Sequence, residues 1–132
     1  ALPIYGDEDN TYIQQIRRMT GRPVIRAFRI RTQEDAAEAA RCLADYILLD
    51  SGAGTGETFD WNMIADIKRP YFLAGGLNPD NVGEAITRLH PYAVDVSSGI
   101  ETGGYKDIRK MEAFVAACQS HIRTDFEQQQ LL

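Results

Sequence analysis

The sequence predicts an α/β protein with a parallel sheet, and two features of the 132-residue chain support this prediction. Short apolar segments alternate with amphipathic helical segments at a spacing of roughly 25–30 residues, which is typical of right-handed βαβ units. Glycine-rich and polar residues follow the ends of the apolar segments, whereas the turns that lead back into them carry nothing comparable. Functional sites of parallel α/β proteins lie at that edge of the sheet. This pattern alone does not separate a closed barrel from an open sheet.

The first part of the chain predicts a strand end followed by two helix–strand units. Residues 2–5 resemble the end of a strand, and acidic residues then precede an amphipathic helix that Gly21 terminates. Residues 23–30 predict a strand. Thr32 and Asp35 form a weak capping box at the start of an alanine-rich helix. The run at residues 46–50 is apolar on both faces, which is typical of a buried parallel strand.

The second part of the chain continues the alternation. A glycine-rich loop at residues 51–56 precedes a predicted helix at residues 61–67, and residues 71–74 predict the next strand. Asn78 is a preferred N-cap and Pro79 a preferred first helical residue, so a helix is predicted to begin at Pro79. Residues 93–96 predict the last strand. Asp107 is predicted to cap the final helix.

Composition excludes several classes of protein. The net charge of −5 argues against a nucleic-acid partner, and no apolar run is long enough to span a membrane. Cys42 and Cys118 lie far apart in helical segments without metal-ligand spacing. They predict reduced thiols in a cytoplasmic protein, and no metal site.

Residues 73–82 predict an anion site. Gly75 and Gly76 leave backbone N–H groups uncovered between the end of a strand and a capped helix, which suits a phosphate. Many such turns contain glycine for conformational reasons alone, so both interpretations stay open.

The polar candidates that follow the neighbouring strands also have structural alternatives. Asp50 could cap amides of the loop that follows it. Asp95 could be a buried acid that loop amides satisfy. Ser97 and Ser98 could cap a helix, and this role is compatible with phosphate binding.

Three groups of motifs together resemble the phosphoribosylanthranilate isomerase family. They are Leu48-Leu-Asp-Ser51 with Thr58-Phe-Asp-Trp61, then Leu73-Ala-Gly-Gly-Leu-Asn-Pro-Asp-Asn-Val82, and finally Ala93-Val-Asp-Val-Ser-Ser-Gly-Ile-Glu101. The resemblance is strong over residues 23–117 and weaker at residues 5–8. It implies a partial (β/α)8 TIM barrel made of strands 5–8 with their helices plus the end of strand 4. Residues 1–118 would then form the C-terminal half of the barrel, and residues 119–132 a helix extension and a frayed tail.

The resemblance implies an isomerase of tryptophan biosynthesis. Members of this family convert N-(5′-phosphoribosyl)anthranilate to 1-(2-carboxyphenylamino)-1-deoxyribulose 5-phosphate by an Amadori rearrangement, without a cofactor. Asp50 matches the general acid of the family, and burial against residues 46–49 is expected to keep it protonated. Asp95 is expected to contact the substrate. The phosphate-binding positions of the family match Gly75, Gly76, Ser97, Ser98 and Gly99.

The family's catalytic base lies in a first-strand segment that has no counterpart in this sequence. The resemblance therefore predicts a fragment that lacks the base. The alternative is a non-catalytic half-barrel that binds phosphate. Four and a half parallel strands cannot close a barrel, so the edges at strand 8 and at the strand-4 remnant are expected to drive self-association.

Overall fold

The computed structural model describes residues 2–4, 9–51 and 56–130. In this part of the chain, five parallel strands form one sheet whose order follows the order of the chain. The strands are β1 (Leu2–Ile4), β2 (Val24–Arg29), β3 (Tyr46–Asp50), β4 (Tyr71–Leu73) and β5 (Ala93–Val94). An antiparallel hairpin of β6 (Glu101–Thr102) and β7 (Tyr105–Lys106) lies outside the sheet. The predicted α/β class with a parallel sheet is confirmed.

Four α-helices connect or follow these strands: α1 (Asn10–Thr20), α2 (Gln33–Arg41), α3 (Val82–Leu89) and α4 (Ile108–Gln130). Gly21 ends α1 in the left-handed conformation, at a φ of 64°. The capping box of Thr32 and Asp35 is present at the start of α2. The Asp107 carboxylate accepts a hydrogen bond from the backbone N–H of Arg109 at 2.9 Å. These three predicted helix boundaries are confirmed. They could be predicted because each depends on side-chain or backbone chemistry within a few residues.

Two predicted helices differ from the structure. The helix predicted from Pro79 becomes regular only at Val82, after a turn at residues 79–81. The Asn78 side chain still accepts hydrogen bonds from the backbone N–H groups of Asp80 and Asn81, as an N-cap does. The helix predicted over residues 61–67 is a single 3₁₀ turn at Trp61–Ile64.

The two faces of the sheet differ in what covers them. Helices cover the face that carries Val24, Phe28, Ile47, Leu49 and Leu73, and all five side chains are buried. Side chains alternate across a strand, so the intervening residues form the opposite face, which we call the open face.

On the open face, the rings of Tyr46, Phe72 and Tyr92 contact one another. Their centroids lie 5.8–6.3 Å apart. Tyr46 is 37% exposed and Tyr92 is 67% exposed. Apolar surface therefore remains accessible at this face.

The two arginines of β2, which are three residues apart, lie on opposite faces of the sheet. Arg26 faces the helices and is only 5% exposed. Its guanidinium lies 3.2 Å from Glu38 of α2 and 4.4 Å from the centroid of the Phe28 ring. Arg29 is exposed and shares the open face with Ala27.

Both cysteines are free thiols, as predicted. Cys42 is buried, whereas Cys118 is half-buried in α4 and burial raises the pKa of its thiol. Among the described residues, no helix has the length and apolar character needed to cross a bilayer. The predicted domain boundary at residue 118 falls inside α4 and stays a prediction.

Candidate functional site

A cavity of about 190 Å³ lies at the carboxyl edge of the sheet, where three consecutive strands end. Most of its polar lining comes from the residues that the sequence selected, although those residues are far apart in the chain. Its lining includes Asp50 and Ser51 at the end of β3, Gly75 and Gly76 after β4, and Asp95, Ser97 and Ser98 after β5. Because parallel strands end at one edge, the fold itself brings these segments together.

The two glycines after β4 are required by both conformation and space. Gly75 has a φ of +89° and Gly76 a φ of +66°, values that side-chain-bearing residues rarely adopt. A Cβ at Gly75 would lie 2.6 Å from Asp50 Oδ1, and a Cβ at Gly76 would lie 2.5 Å from the carbonyl oxygen of Glu57. The turn formed by Gly75 and Gly76 therefore packs closely against the segment that follows β3.

Asp50 ends β3 on the open face and lines the cavity. It is half-buried, and the fully buried Ile47 and Leu49 project to the other face of the sheet. The expected burial of Asp50 by residues 46–49 is therefore only partial, and its assignment as general acid stays a prediction. The carboxyl instead lies against the backbone of Gly75, within the polar cavity.

The loop after β5 contributes Ser97 and Ser98, followed by a 3₁₀ turn at Ser98–Ile100. Ser97 occupies the N-cap position of this turn, but its side chain makes no capping hydrogen bond there. The helix-capping alternative therefore does not hold for the Ser97 hydroxyl. Gly99 packs against the carbonyl of Leu77, leaving no room for a Cβ. Gly99 thus joins the loops after β4 and β5.

Asp95 is exposed and lines the cavity, so it is not the buried acid of the structural alternative. Its backbone N–H donates to the carbonyl of Leu73 at 2.8 Å and so extends the pairing of β4 and β5. This bond fixes the chain immediately before the two serines.

Three residues that sequence reasoning did not select hold the cavity loops. The Asn81 side chain donates to the carbonyl of Gly76 at 2.9 Å and accepts from the backbone N–H of Asn78 at 2.8 Å. Lys106 Nζ donates to the carbonyl of Ser97 at 3.0 Å. Arg29 Nε donates to the carbonyl of Ser51 at 3.3 Å. Asn81 stands one residue before an apolar helical run, and this position could have identified it from the sequence. No local sequence pattern identifies Lys106 or Arg29.

The cavity lining combines carboxylates with backbone donors. Asp50 and Asp95 are the charged residues among the described lining. Lys106 is not part of this lining; it forms an ion pair with Glu101 at 2.7 Å. Successive backbone N–H groups at turns form concavities that bind anions such as phosphate. In the described part of the chain, no group of three His, Cys, Asp or Glu side chains is placed to hold a metal ion. Gly52 and Gly54, which belong to the predicted glycine-rich loop, fall outside the described residues.

A comparison with known families identifies the chain. The sequence model described as "N-(5'phosphoribosyl)anthranilate (PRA) isomerase" matches residues 2–117. The chain belongs to this family. The match includes every predicted site residue, from Asp50 to Gly99.

Individual relatives agree with the family assignment. The chain is 41% identical over 115 residues to the N-(5′-phosphoribosyl)anthranilate isomerase of Endomicrobium trichonymphae, covering 83% of this chain and 56% of the relative. It is 46% identical over 122 residues to that of Caldanaerobacter subterraneus subsp. tengcongensis, covering 87% of this chain and 59% of the relative. The chain therefore spans less than two thirds of the length of these relatives.

Solved structures of the family share this fold. The isomerase from Pyrococcus furiosus superposes with a TM-score of 0.72 at 35% identity, covering 89% of this chain and 61% of that one. A phosphoribosyl anthranilate isomerase in complex with reduced 1-(o-carboxyphenylamino)-1-deoxyribulose 5-phosphate superposes with a TM-score of 0.73 at 34% identity, covering 89% and 58%.

Proposed function

We propose that this chain carries the phosphate-binding and general-acid part of an N-(5′-phosphoribosyl)anthranilate isomerase, an enzyme of tryptophan biosynthesis. The observation that supports this most directly is the convergence of Asp50, the Gly75-Gly76 turn and the Ser97-Ser98 loop on one cavity, in a chain of this family.

In the proposed reaction the phosphate lies against the loops after β4 and β5. Backbone N–H groups at Gly75 and Gly76 and the hydroxyls of Ser97 and Ser98 donate to its oxygens, and Gly99 keeps the two loops together. Asp95 accepts a hydrogen bond from a sugar hydroxyl. This arrangement places the sugar across the carboxyl edge of the sheet, above Asp50.

Asp50 acts as the general acid. Its proton passes to the ring oxygen of the ribose, the bond between that oxygen and C1′ breaks, and the nitrogen lone pair forms a Schiff base with C1′. Loss of the proton at C2′ then gives an enol amine, which tautomerises to the ketone product. None of the described residues is assigned the base that removes the C2′ proton. All bonds are exchanged within the substrate, so the proposed reaction needs no cofactor.

We infer from the strand order that the sheet is part of a (β/α)8 barrel, with β1 as the end of barrel strand 4 and β2–β5 as strands 5–8. The order follows the chain without the reversal that a doubly wound sheet shows. Superposition on the solved isomerases supports the same assignment. Residues 1–118 would form this half of the barrel and residues 119–132 its helical extension. The two free thiols favour a cytoplasmic location.

The proposed role of Asp50 is tested by separating binding from turnover. The substrate is generated in the assay from anthranilate and phosphoribosyl pyrophosphate by the coupling transferase, and its loss is followed by fluorescence. The reduced product analogue named above serves as the binding probe. Asp50→Asn is expected to keep the affinity for the probe and to lower turnover about 10²–10⁴-fold.

Asp66→Asn is the matched control, because Asp66 is exposed and lies outside the cavity. It is expected to change neither quantity. Turnover by the unaltered chain that Asp50→Asn leaves unchanged would contradict the role of Asp50. Failure of the unaltered chain to bind the probe would contradict the phosphate site.

A second candidate is a non-catalytic half-barrel that binds phosphate and self-associates. The open face favours it, since Tyr46, Phe72 and Tyr92 expose apolar surface of the kind that marks interfaces. β1 and β5 each pair with one neighbouring strand in the described sheet, so each has an edge that can accept another strand.

Sedimentation velocity over a range of concentrations tests this candidate. Tyr92→Glu is expected to shift the association equilibrium toward monomer, whereas Tyr105→Glu, an 81% exposed residue of the β6–β7 hairpin, is expected to have no effect. A monomer at every concentration would exclude self-association. Turnover by the purified chain would exclude the non-catalytic assignment.

A further inference from the structure

The hairpin of β6 and β7 makes a contact with the loop after β5 that the proposed reaction does not use. The Nζ of Lys106, in β7, donates to the carbonyl oxygen of Ser97 at 3.0 Å. The same carbonyl accepts the backbone N–H of Ile100 at 3.3 Å. Two donors therefore hold one peptide group of the loop, the group that joins Ser97 to Ser98.

The direction of the Ser97 carbonyl decides the direction of the Ser98 N–H. The peptide bond between the two serines is trans. A trans peptide group is planar, and its C=O and N–H point in opposite directions. Ser97 and Ser98 line the cavity, whereas Lys106 does not. A carbonyl that is bonded to Lys106 therefore directs the Ser98 N–H away from the hairpin.

The Ser98 N–H is available to a ligand. Among the residues that the structure describes, no carbonyl or side chain accepts it. Ser97 has a φ of −128° and a ψ of −84°, outside the helical and extended regions. No regular backbone pairing therefore sets the peptide group that follows Ser97, and the bonds to its carbonyl set it instead.

The hairpin that carries Lys106 is itself held firmly. Ile100, which precedes the hairpin, is buried in the core. Its carbonyl accepts the backbone N–H of Asp107 at 2.8 Å. The Thr102 hydroxyl donates to the Asp107 carboxylate at 2.7 Å. The hairpin is thus tied to the core and to the start of α4, so Lys106 has a fixed base from which to reach the loop.

The contacts of the Lys106 ammonium favour a role through position over a role through charge. Its Nζ also pairs with the Glu101 carboxylate at 2.7 Å, and the two side chains are 51% and 24% exposed. The opposite charges of such a pair largely cancel at a distance, and salt screens what remains. Lys106 therefore offers little net positive charge to a phosphate, while Glu101 keeps the ammonium beside the Ser97 carbonyl.

From these contacts we propose that Lys106 is a positioning residue for phosphate binding. It holds the Ser97 carbonyl outside the cavity, so that the Ser98 N–H points into the cavity and donates to a phosphate oxygen. A donor that is oriented before the ligand arrives costs less to order on binding. The inference rests on the proposed function, because it concerns the phosphate group of the same substrate.

The test measures phosphate affinity and the orientation of the Ser98 N–H together. Inorganic phosphate is titrated into the isotopically labelled chain, and amide NMR spectra give both the affinity and the shift of the Ser98 amide proton. The reduced 1-(o-carboxyphenylamino)-1-deoxyribulose 5-phosphate is the second probe, followed by titration calorimetry. The variants are Lys106→Gln, Lys106→Arg and Glu101→Gln. Lys68→Gln is the matched control, because Lys68 is exposed and lies outside the cavity.

Lys106→Gln is expected to weaken binding of both probes by about tenfold. It should also reduce the downfield shift of the Ser98 amide proton at saturating phosphate. Lys106→Arg is expected to restore most of both effects, since a guanidinium can also donate to the carbonyl and pair with Glu101. Glu101→Gln should weaken binding less than Lys106→Gln does, and Lys68→Gln should match the unaltered chain.

Three results would overturn the inference while the phosphate site stands. They are unchanged affinity in Lys106→Gln, a loss in that variant that Lys106→Arg does not restore, and tighter phosphate binding by Glu101→Gln. The last result would show that Lys106 acts through its charge. If the unaltered chain binds neither probe, the proposed function fails together with the inference.

Discussion

The backbone of Gly75 lies directly against the carboxylate of Asp50, so that a Cβ on Gly75 would lie 2.6 Å from Asp50 Oδ1. The proposed phosphate turn and the proposed general acid are therefore in contact, although they belong to different strands. A change in the glycine turn must displace the carboxylate, and this coupling leads to the first prediction.

Gly75→Ala is expected to destabilise the fold and to abolish phosphate binding. The φ of +89° imposes about 1–2 kcal/mol of strain on any residue with a Cβ, and the collision with Asp50 and Ser51 adds about 1–3 kcal/mol. Gly104→Ala is the control, because its φ is +82° but no atom lies within 4 Å of its Cβ position. Urea unfolding should show the strain alone in Gly104→Ala. Equal losses in both variants would contradict the contact.

Gly83 in α3 and His121 in α4 form the second testable contact. A Cβ on Gly83 would lie 2.7 Å from His121 Nε2, so the imidazole ring occupies the space above the glycine. Gly83→Ala is therefore expected to be destabilising, although alanine in a helix is normally favoured over glycine by about 0.5–1 kcal/mol. In a His121→Ala background the same substitution is expected to become stabilising. A double-mutant cycle in urea measures this reversal, and additive effects would exclude the contact.

The buried ion pair of Arg26 with Glu38 gives a third prediction. Removing Glu38 leaves a charge that is about nine-tenths buried without its partner, and breaking such pairs costs about 3–5 kcal/mol when both partners are buried. Because the Glu38 side chain is 48% exposed, we expect Glu38→Ala to cost about 1–3 kcal/mol.

Glu34→Ala, in the same helix, removes a pair with Arg41 whose side chains are 77% and 64% exposed. That substitution should cost about 0–1 kcal/mol. Thermal unfolding compares the two variants, and a larger loss in Glu34→Ala would be inconsistent with the burial of Arg26.

The capping box of α2 predicts a pH dependence of stability. The hydrogen bond from the backbone N–H of Arg31 lowers the pKa of Asp35, helped by bonds from Thr32 and opposed by burial. A lowered pKa in the folded state means that the carboxylate stabilises the fold above the unfolded-state pKa of about 3.9. This contribution is lost as the pH falls through the folded-state pKa.

Asp35→Asn should therefore be less stable than the unaltered chain at neutral pH, and the difference should shrink below about pH 4. Urea unfolding at a series of pH values measures the difference, with Asp66→Asn as the exposed control. If the difference in the free energy of unfolding between Asp35→Asn and the unaltered chain does not change with pH, Asp35 stabilises the fold through its shape and not through its charge.

Local chemistry decided which elements could be predicted from the sequence. The cap at Thr32 and the terminator Gly21 act within a few residues, so both were predicted correctly. The prediction of a helix over residues 61–67 was wrong, because the segment makes i→i+3 hydrogen bonds such as that from the Ile67 N–H to the Ile64 carbonyl. Further along, Arg69 donates to the distant carbonyls of Cys42 and Ala44, a tertiary contact that no local pattern shows.

The candidate site could be predicted in outline for a geometrical reason. Residues that follow parallel strands meet at one edge, so Asp50 and Gly75 could be placed together from their positions in the repeat. The side chains that fix the loops could not, since the bonds of Asn81, Lys106 and Arg29 go to backbone carbonyls whose directions depend on the folded loops. The half-buried contact of His121 with Gly83 could not be predicted either, since the two residues lie on different helices.

The agreement between strand order and chain order also bears on how the chain folds. Ile25 pairs with Tyr46, and Ile47 pairs with Tyr71, so each strand meets the strand that is synthesised next. Within the described sheet, β1 and β5 do not pair. The two pairs join residues 21 and 24 positions apart, so each pairing closes a shorter loop than a pairing of distant strands would. Domains can begin to fold during synthesis. The sheet can therefore grow one strand at a time behind the ribosome, with each new strand added to an edge that already exists.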